Sequence, residues 1–215
     1  MHIVITGASR GIGQALRAQY LDQGHAVTGT SRSGGDGLLA LDVTDPAGHA
    51  RLAETLGDRP VDLLICNAGI YVDKGQSLDA GYPAALWADT FATNVTGVFL
   101  TVQALLPHLS RAASPKIAII SSQMGSDTTA PGGSYIYRAS KAAALNLGRN
   151  LATDLRPRGM AVGIYHPGWV QTDMGGAAAD ITVEQSASGL ADRFAALSLD
   201  TTGCFETWDG RAHPF

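Results

Sequence analysis

Thr6-Gly7-Ala8-Ser9-Arg10-Gly11-Ile12-Gly13 follows an apolar run of strand length, residues 2–6, and opens an amphipathic stretch of helix length, residues 11–23. A glycine-rich string becomes informative in that one context, between a strand and a helix. Glycine permits a tight turn and close approach of backbone to an anion, and the first helical N–H groups with the positive end of the helix dipole favour a phosphate. Three residues rather than one separate the first two glycines, so the turn departs from the commoner dinucleotide fingerprint. Gly7, Ser9, Arg10, Gly11, Ile12 and Gly13 are the candidate phosphate contacts.

Outward from this turn, apolar runs alternate with helix-length amphipathic stretches. Strands are predicted at 2–6, 26–31, 38–41, 61–66, 116–121, 160–165 and 204–207, and helices at 11–23, 47–56, 83–109, 134–155 and 183–199. Such alternation predicts an α/β fold: a single Rossmann-like, doubly wound domain over 1–215, with a parallel sheet of about seven strands and helices on both faces. Gly24 is a predicted helix stop, Asp45-Pro46 an N-cap with proline at the first helical position, and Pro157 with Gly159 the end of the fifth helix. The 33–37 turn lies at the surface, and 75–82 and 173–181 are the loops expected to be mobile.

The chain has 215 residues, 45% hydrophobic and 16% charged, with a formal net charge of −4 and no basic run. That balance lacks the electrostatic footprint of a nucleic-acid binder. Cys66 and Cys204 are too far apart for a metal-ligand spacing, and the first apolar run is too short for a secretory signal or a membrane span. Reduced thiols, no metal, no membrane association and a cytoplasmic location are the expectations.

Tyr137-Arg138-Ala139-Ser140-Lys141 carries the strongest chemical signal. Residues four apart share one helix face, and a lysine ammonium beside a phenol favours the phenolate and brings proton exchange toward physiological pH. Lys141 is one of only three lysines, with Lys74 and Lys116, so it stands out in a chain that otherwise uses arginine. At the end of the second strand, Thr30-Ser31-Arg32-Ser33 offers no carboxylate for a ribose hydroxyl. Arg32 presents instead a planar fork suited to a 2′-phosphate.

Taken together these motifs resemble, in order from Thr6 to Thr172, the short-chain dehydrogenase/reductase family. The turn is similar to its Thr-Gly-x-x-x-Gly-x-Gly, Asn67-Ala68-Gly69 to its Asn-Ala-Gly turn (with Cys66 where an asparagine often stands), and Pro167-Gly168-Trp169-Val170-Gln171-Thr172 to its Pro-Gly-x-Val-x-Thr segment. Tyr135-Ile136-Tyr137-Arg138, His166-Pro167-Gly168-Trp169 and Trp208-Asp209-Gly210-Arg211 resemble the C-factor-like carbonyl reductases more closely. The resemblance implies NADP(H), preferred over NAD(H), with Arg10 as a second ligand of the 2′-phosphate and Asp42-Val43 at the adenine. Pro167, Gly168, Val170 and Thr172 would hold the nicotinamide carboxamide.

It further implies a catalytic set of Asn94, Ser122, Tyr137 and Lys141, with Lys141 also binding the nicotinamide ribose. The interval from Ser122 to Tyr137 is longer than the family's usual one, placing a small insertion in 123–134 and leaving Ser126 as the alternative serine, while Ser121 is read as structural. The substrate would be a small carbonyl compound or alcohol, bordered by Trp87, Tyr71, Met124, Trp169 and Met174. Residues after Thr172 are short, Gly- and Ala-rich, and imply an incompletely covered pocket. Pairing through 83–109 and 134–155 implies a homodimer or homotetramer. The rival reading is a dinucleotide-binding sensor or signalling protein with little turnover; a third, an epimerase or dehydratase, would need a longer C-terminal region.

Overall fold

The computed structural model describes residues 1–79 and 81–215; Ala80, inside the 75–82 loop, lies outside the described residues. Among the described residues, seven parallel strands form one sheet in the order β3-β2-β1-β4-β5-β6-β7. They are β1 (His2–Ile5), β2 (Ala26–Ser31), β3 (Leu39–Ala40), β4 (Leu63–Cys66), β5 (Lys116–Ile120), β6 (Ala161–His166) and β7 (Phe205–Thr207). All seven overlap predicted strands; five are shorter, β2 has the predicted bounds, and β6 is shifted one residue, to Ala161–His166. The helices are α1 (Gly11–Asp22), α2 (Pro46–Leu56), α3 (Ala84–Phe91), α4 (Gly97–Leu109), α5 (Tyr135–Leu155) and α6 (Val183–Ala196).

Side chains alternate across the strands and so divide the core in two. Val4, Leu64, Cys66, Ile117, Ile119 and Val162 face α2, α4 and α5. Ile3, Ile5, Leu63, Ile65, Ala118, Ile120 and Tyr165 face α1 and α6. This is the doubly wound arrangement read from the sequence. Its strand order reverses between β1 and β4, which brings the loops after these two strands side by side at the carboxyl edge of the sheet.

Local chemistry explains the ends. Asp45 accepts from the Ala47 N–H at 2.9 Å with Pro46 in the first turn, and Gly24 and Gly159 take left-handed φ of 77° and 74°. Thr182 and Gln185 close a reciprocal capping box on α6.

One prediction is corrected. The continuous helix over 83–109 is two helices, α3 and α4, joined by a π turn at Ala92–Thr96. The widened turn carries the buried Asn94, whose amide bonds to loop backbone outside its own helix. Two helix ends also shift: Ser134 is left-handed (φ 49°), so α5 starts at Tyr135, and Leu197 is extended, so α6 stops at Ala196.

Candidate active site

At the glycine turn, Thr6 and Asn67 lace the loops after β1 and β4 together. Thr6 Oγ1 accepts from the Asn67 and Ala68 N–H groups at 3.1 Å each, and Asn67 Nδ2 donates to the Thr6 and Gly7 carbonyls at 3.0 Å. Gly13 is irreplaceable on steric grounds: a Cβ there would stand 2.3 Å from the Gly7 carbonyl oxygen and 2.5 Å from Asn67 Nδ2. Gly7 combines a φ of 68° with a would-be Cβ 2.9 Å from Ala68 Cα. Arg10 sits at the N-cap of α1 without a side-chain capping bond, so first-turn N–H groups are left for an anion. Ser9 and Arg10 are exposed and Ile12 is half-buried.

The Arg10 guanidinium bonds Asp173 Oδ2 at 2.9 Å, joining the glycine turn to the loop after β6; both side chains are exposed. Gly11 touches the same loop, at Thr172. Arg32 is exposed past the end of β2. Its charge lies near Asp42, whose carboxyl is held below the usual range mainly by the Thr44 N–H and hydroxyl, with Arg32 a smaller contributor. Val43, Ala68 and Thr6 border one narrow, largely buried crevice with Cys66, Thr93, Gly97, Val98 and Thr101. Cys66 is free, its thiol pushed up to about 12 by burial; Cys204 is also free.

The proton-transfer candidates meet across β4, β5 and α5. Tyr137 is 7% exposed and Lys141 5%, and Lys141 Nζ lies 5.6 Å from the Tyr137 ring centre. Lys141 Nζ donates to the Ile120 carbonyl at 2.9 Å. Burial pushes its pKa down to about 8. Burial also raises the Tyr137 phenol well above its ordinary value. A hydrogen bond with Ser122 opposes this rise, whereas the neighbouring Tyr71 and Asp73 add to it. Desolvation is the largest influence on the phenol, and the group that lowers it is Ser122 rather than Lys141, the source expected from the sequence.

The two serine candidates part company. Ser122 caps the short 3-10 turn Gln123–Gly125, its Oγ accepting from the Met124 N–H at 3.1 Å, and it faces Tyr137. Ser126 is buried and its hydroxyl is shared with Thr128 Oγ1 at 2.8 Å. Ser121 donates to the Lys141 carbonyl at 2.9 Å, in keeping with a structural part.

Asn94 Oδ1 accepts from the Ile70 N–H at 2.8 Å, and its Nδ2 donates to the Ile70 carbonyl at 2.9 Å and to Ser140 Oγ at 3.0 Å. Gly69 lies between Asn94 and Lys141: a Cβ there would be 3.3 Å from Asn94 Oδ1 and 3.5 Å from Lys141 Nζ. The Pro167 carbonyl accepts from Ser186 on α6 at 2.6 Å, Gly168 has a φ of 88°, and Val170 is buried and bridges to Ile181. Thr172 Oγ1 accepts from the Gly175 N–H at 3.1 Å.

Sequence reasoning missed three elements. Asp73, fully buried, accepts from the Ile136 N–H at 2.8 Å and the Tyr137 N–H at 3.3 Å. Tyr71, read only as a pocket wall, stacks on Tyr137 with ring centres 4.2 Å apart. Asp173 engages Arg10. Each joins residues far apart in the chain, and no local pattern marks them. Trp169 is 46% exposed and Met174 41%, while Trp87 packs on Phe91.

A doubly wound parallel sheet, with a glycine turn and a buried tyrosine and lysine at its carboxyl edge, is the frame of a dinucleotide-dependent oxidoreductase class. The family model for the short chain dehydrogenase matches residues 1–181, and the chain belongs to this family of oxidoreductases. It is 39% identical over 157 residues to C-signal of Myxococcus xanthus, covering 73% of this chain and 93% of that protein. The NADPH-bound carbonyl reductase from chicken fatty liver superposes with a TM-score of 0.89 at 31% identity, covering 100% of this chain and 98% of that one. For the carbonyl reductase Sniffer of D. melanogaster the values are 0.91, 26%, 100% and 99%. Among the described residues no helix is long and apolar enough to cross a membrane, and no group of three or more His, Cys, Asp or Glu side chains is placed to hold a metal ion.

Proposed function

We propose that this protein is an NADPH-preferring carbonyl reductase that acts on a small carbonyl or alcohol substrate. The observation that carries this reading is the convergence of Ser122, Tyr137 and Lys141 at the carboxyl edge of the sheet beside the glycine turn. The residues present fit the dinucleotide: the uncapped start of α1 and the space kept open at Gly7 and Gly13 suit its pyrophosphate. Arg32 and Arg10 would hold the 2′-phosphate, Asp42 and Val43 the adenine, Asn67, Ala68 and Gly69 the ribose side, Lys141 the nicotinamide ribose, and Pro167, Gly168, Val170 and Thr172 the carboxamide. The bound cofactor supplies or accepts the hydride.

The protein's own part is proton transfer and orientation. Ser122 and Tyr137 donate hydrogen bonds to the substrate carbonyl oxygen and stabilise the charge that develops there. Tyr137 then gives that oxygen its proton, and in the alcohol-oxidising direction the phenolate takes it back. Lys141, held at the Ile120 carbonyl, places a cation beside the phenol, and Asn94 fixes the Ile70 backbone next to it. A cytoplasmic homodimer or homotetramer is the accompanying proposal.

Parallel titration with NADPH and NADH, followed by a carbonyl screen and the Tyr137→Phe variant, tests this reading. NADPH binding tighter than NADH, weakened by Arg32→Ala, with consumption abolished in Tyr137→Phe, is the expected result. If neither dinucleotide binds, the reading fails. A second reading, a dinucleotide-binding signalling protein with little turnover, draws on the likeness to C-signal and on the Tyr71 ring lying over Tyr137. It predicts binding without turnover and biological activity that survives Tyr137→Phe.

A further inference from the structure

The first turn of α5 has no local cap. Ser134, at the N-cap position, is left-handed and makes no side-chain capping bond, and its Oγ is taken by the Tyr71 hydroxyl at 2.6 Å. The orphan N–H groups are met from 63 residues upstream: Asp73 Oδ2 accepts from Ile136 at 2.8 Å, and Oδ1 accepts from Tyr137 at 3.3 Å. Asp73 has no solvent exposure, which makes this a built contact rather than a surface one. A carboxylate at a helix N-terminus is stabilised by the dipole as well as by the N–H groups. The segment it ends is tied to the same site throughout, through Gly69 beside Lys141, Ile70 on Asn94 and Tyr71 on Tyr137.

We propose that Asp73 is a positioning residue for Tyr137: its carboxylate clamps the first turn of α5 to the loop after β4, and its charge contributes to the pH range in which the phenol exchanges its proton. This rests on the reading of Tyr137 as the proton-transfer group. The groups placed around Tyr137 are Asp73, which accepts from its backbone N–H, and Tyr71, both from the loop after β4, Ser122 from the end of β5, and Lys141 from the next turn of α5, itself near His166 of β6. A negative charge there favours the protonated phenol, which is the direction Asp73 contributes. Removing the charge therefore lowers the pH at which Tyr137 ceases to be an acid.

The test compares Asp73→Asn, which keeps a side-chain acceptor for the clamp but loses the charge, with Asp73→Ala, which loses both. NADPH-dependent reduction of 4-nitrobenzaldehyde, followed against pH in the full chain, reads the charge. The alkaline limb of kcat is expected to move down by about 0.5 pH unit or more in Asp73→Asn, and kcat to fall about tenfold or more in Asp73→Ala with most of that loss recovered by Asn. Amide hydrogen exchange at Ile136 and Tyr137 needs no substrate and reads the clamp: it is expected to accelerate about tenfold or more in Asp73→Ala and much less in Asp73→Asn. An unmoved limb in Asp73→Asn, or unchanged exchange in Asp73→Ala, overturns the assignment. Tyr137→Phe separates the two levels. Normal turnover in that variant sinks the proton-transfer reading itself, whereas lost turnover with an unmoved Asp73→Asn limb sinks only the role of Asp73.

Discussion

The Tyr71 ring lies almost flat on Tyr137, 22° between planes, and its hydroxyl is bonded to Ser134. Stack and hydrogen bond are separable. Tyr71→Phe keeps the stack and is expected to cost about 1 kcal/mol of stability. Tyr71→Ala also loses the ring contact and its buried area, for about 2–4 kcal/mol. Urea midpoints at constant slope check the order; equal losses in the two variants would show that the stack contributes nothing.

Lys141 is buried beside a carbonyl, and burial is what shifts it. Folding lowers its pKa from 10.5 to about 8, so between these values the unfolded chain binds the extra proton. Stability rises with pH across that window, and below it the folded protein bears the full cost of the buried cation, on the order of 3 kcal/mol. Lys141→Met is therefore expected to stabilise the cofactor-free protein at pH 7 by about 1–2 kcal/mol after losing its bond to Ile120, while abolishing turnover. Thermal unfolding with and without the substitution decides it; a lowered midpoint at pH 7 contradicts the desolvation account.

Arg10 is held by Asp173, and both side chains are largely exposed. Such a pair is worth about 0–1 kcal/mol, so releasing Arg10 with Asp173→Asn is expected to tighten NADPH binding by less than about fivefold, an effect that fades in salt. Arg32→Ala, losing a charge-assisted contact of about 1.5–3 kcal/mol, is expected to weaken NADPH about tenfold or more and leave NADH almost unchanged. Fluorescence titrations at two salt concentrations measure both. Parallel weakening of NADPH and NADH by Arg32→Ala would remove Arg32 from the 2′-phosphate.

His166, 7% exposed at the end of β6, has an Nδ1 with no hydrogen-bond partner among the described residues and lies near His213. Burial pushes its pKa down to about 4. The unfolded chain takes up a proton below 6.5 that the folded chain refuses until about 4, so this residue's stabilisation is complete above pH 6.5 and is lost as pH falls through that window. The total is on the order of 3 kcal/mol. Stability measured from pH 7 to 4.5 is expected to fall less steeply in His166→Gln; identical slopes would place the acid sensitivity elsewhere.

What could be read in advance follows from the range of each interaction. Leu63–Cys66, and β5 after its opening Lys116, are continuous apolar runs because helices cover both faces of the sheet, and that burial is written directly in the side chains. Tyr137 and Lys141 were visible because one helical turn separates them. The π turn at Ala92–Thr96 was not, since it differs from an α-helix by a shift in hydrogen-bond register that composition does not encode. Asp73 was equally hidden: in a loop, an aspartate destined for a distant backbone looks like any solvated one. The Arg10–Asp173 pair spans 163 positions and has no local trace at all.

The remote cap on α5 also bears on the order in which the chain can fold. Helix nucleation is unfavourable without partners for the first turn, and here the partner arrives only by closing a loop of 63 residues. Asp73 emerges from the ribosome before Tyr137, so a chain folding during synthesis has the anchor waiting when the helix appears. Refolding from denaturant has no such head start. There the turn that bears the phenol is expected to be among the last pieces to acquire native structure, with activity recovering after the helical signal; stopped-flow circular dichroism beside an activity assay measures that lag.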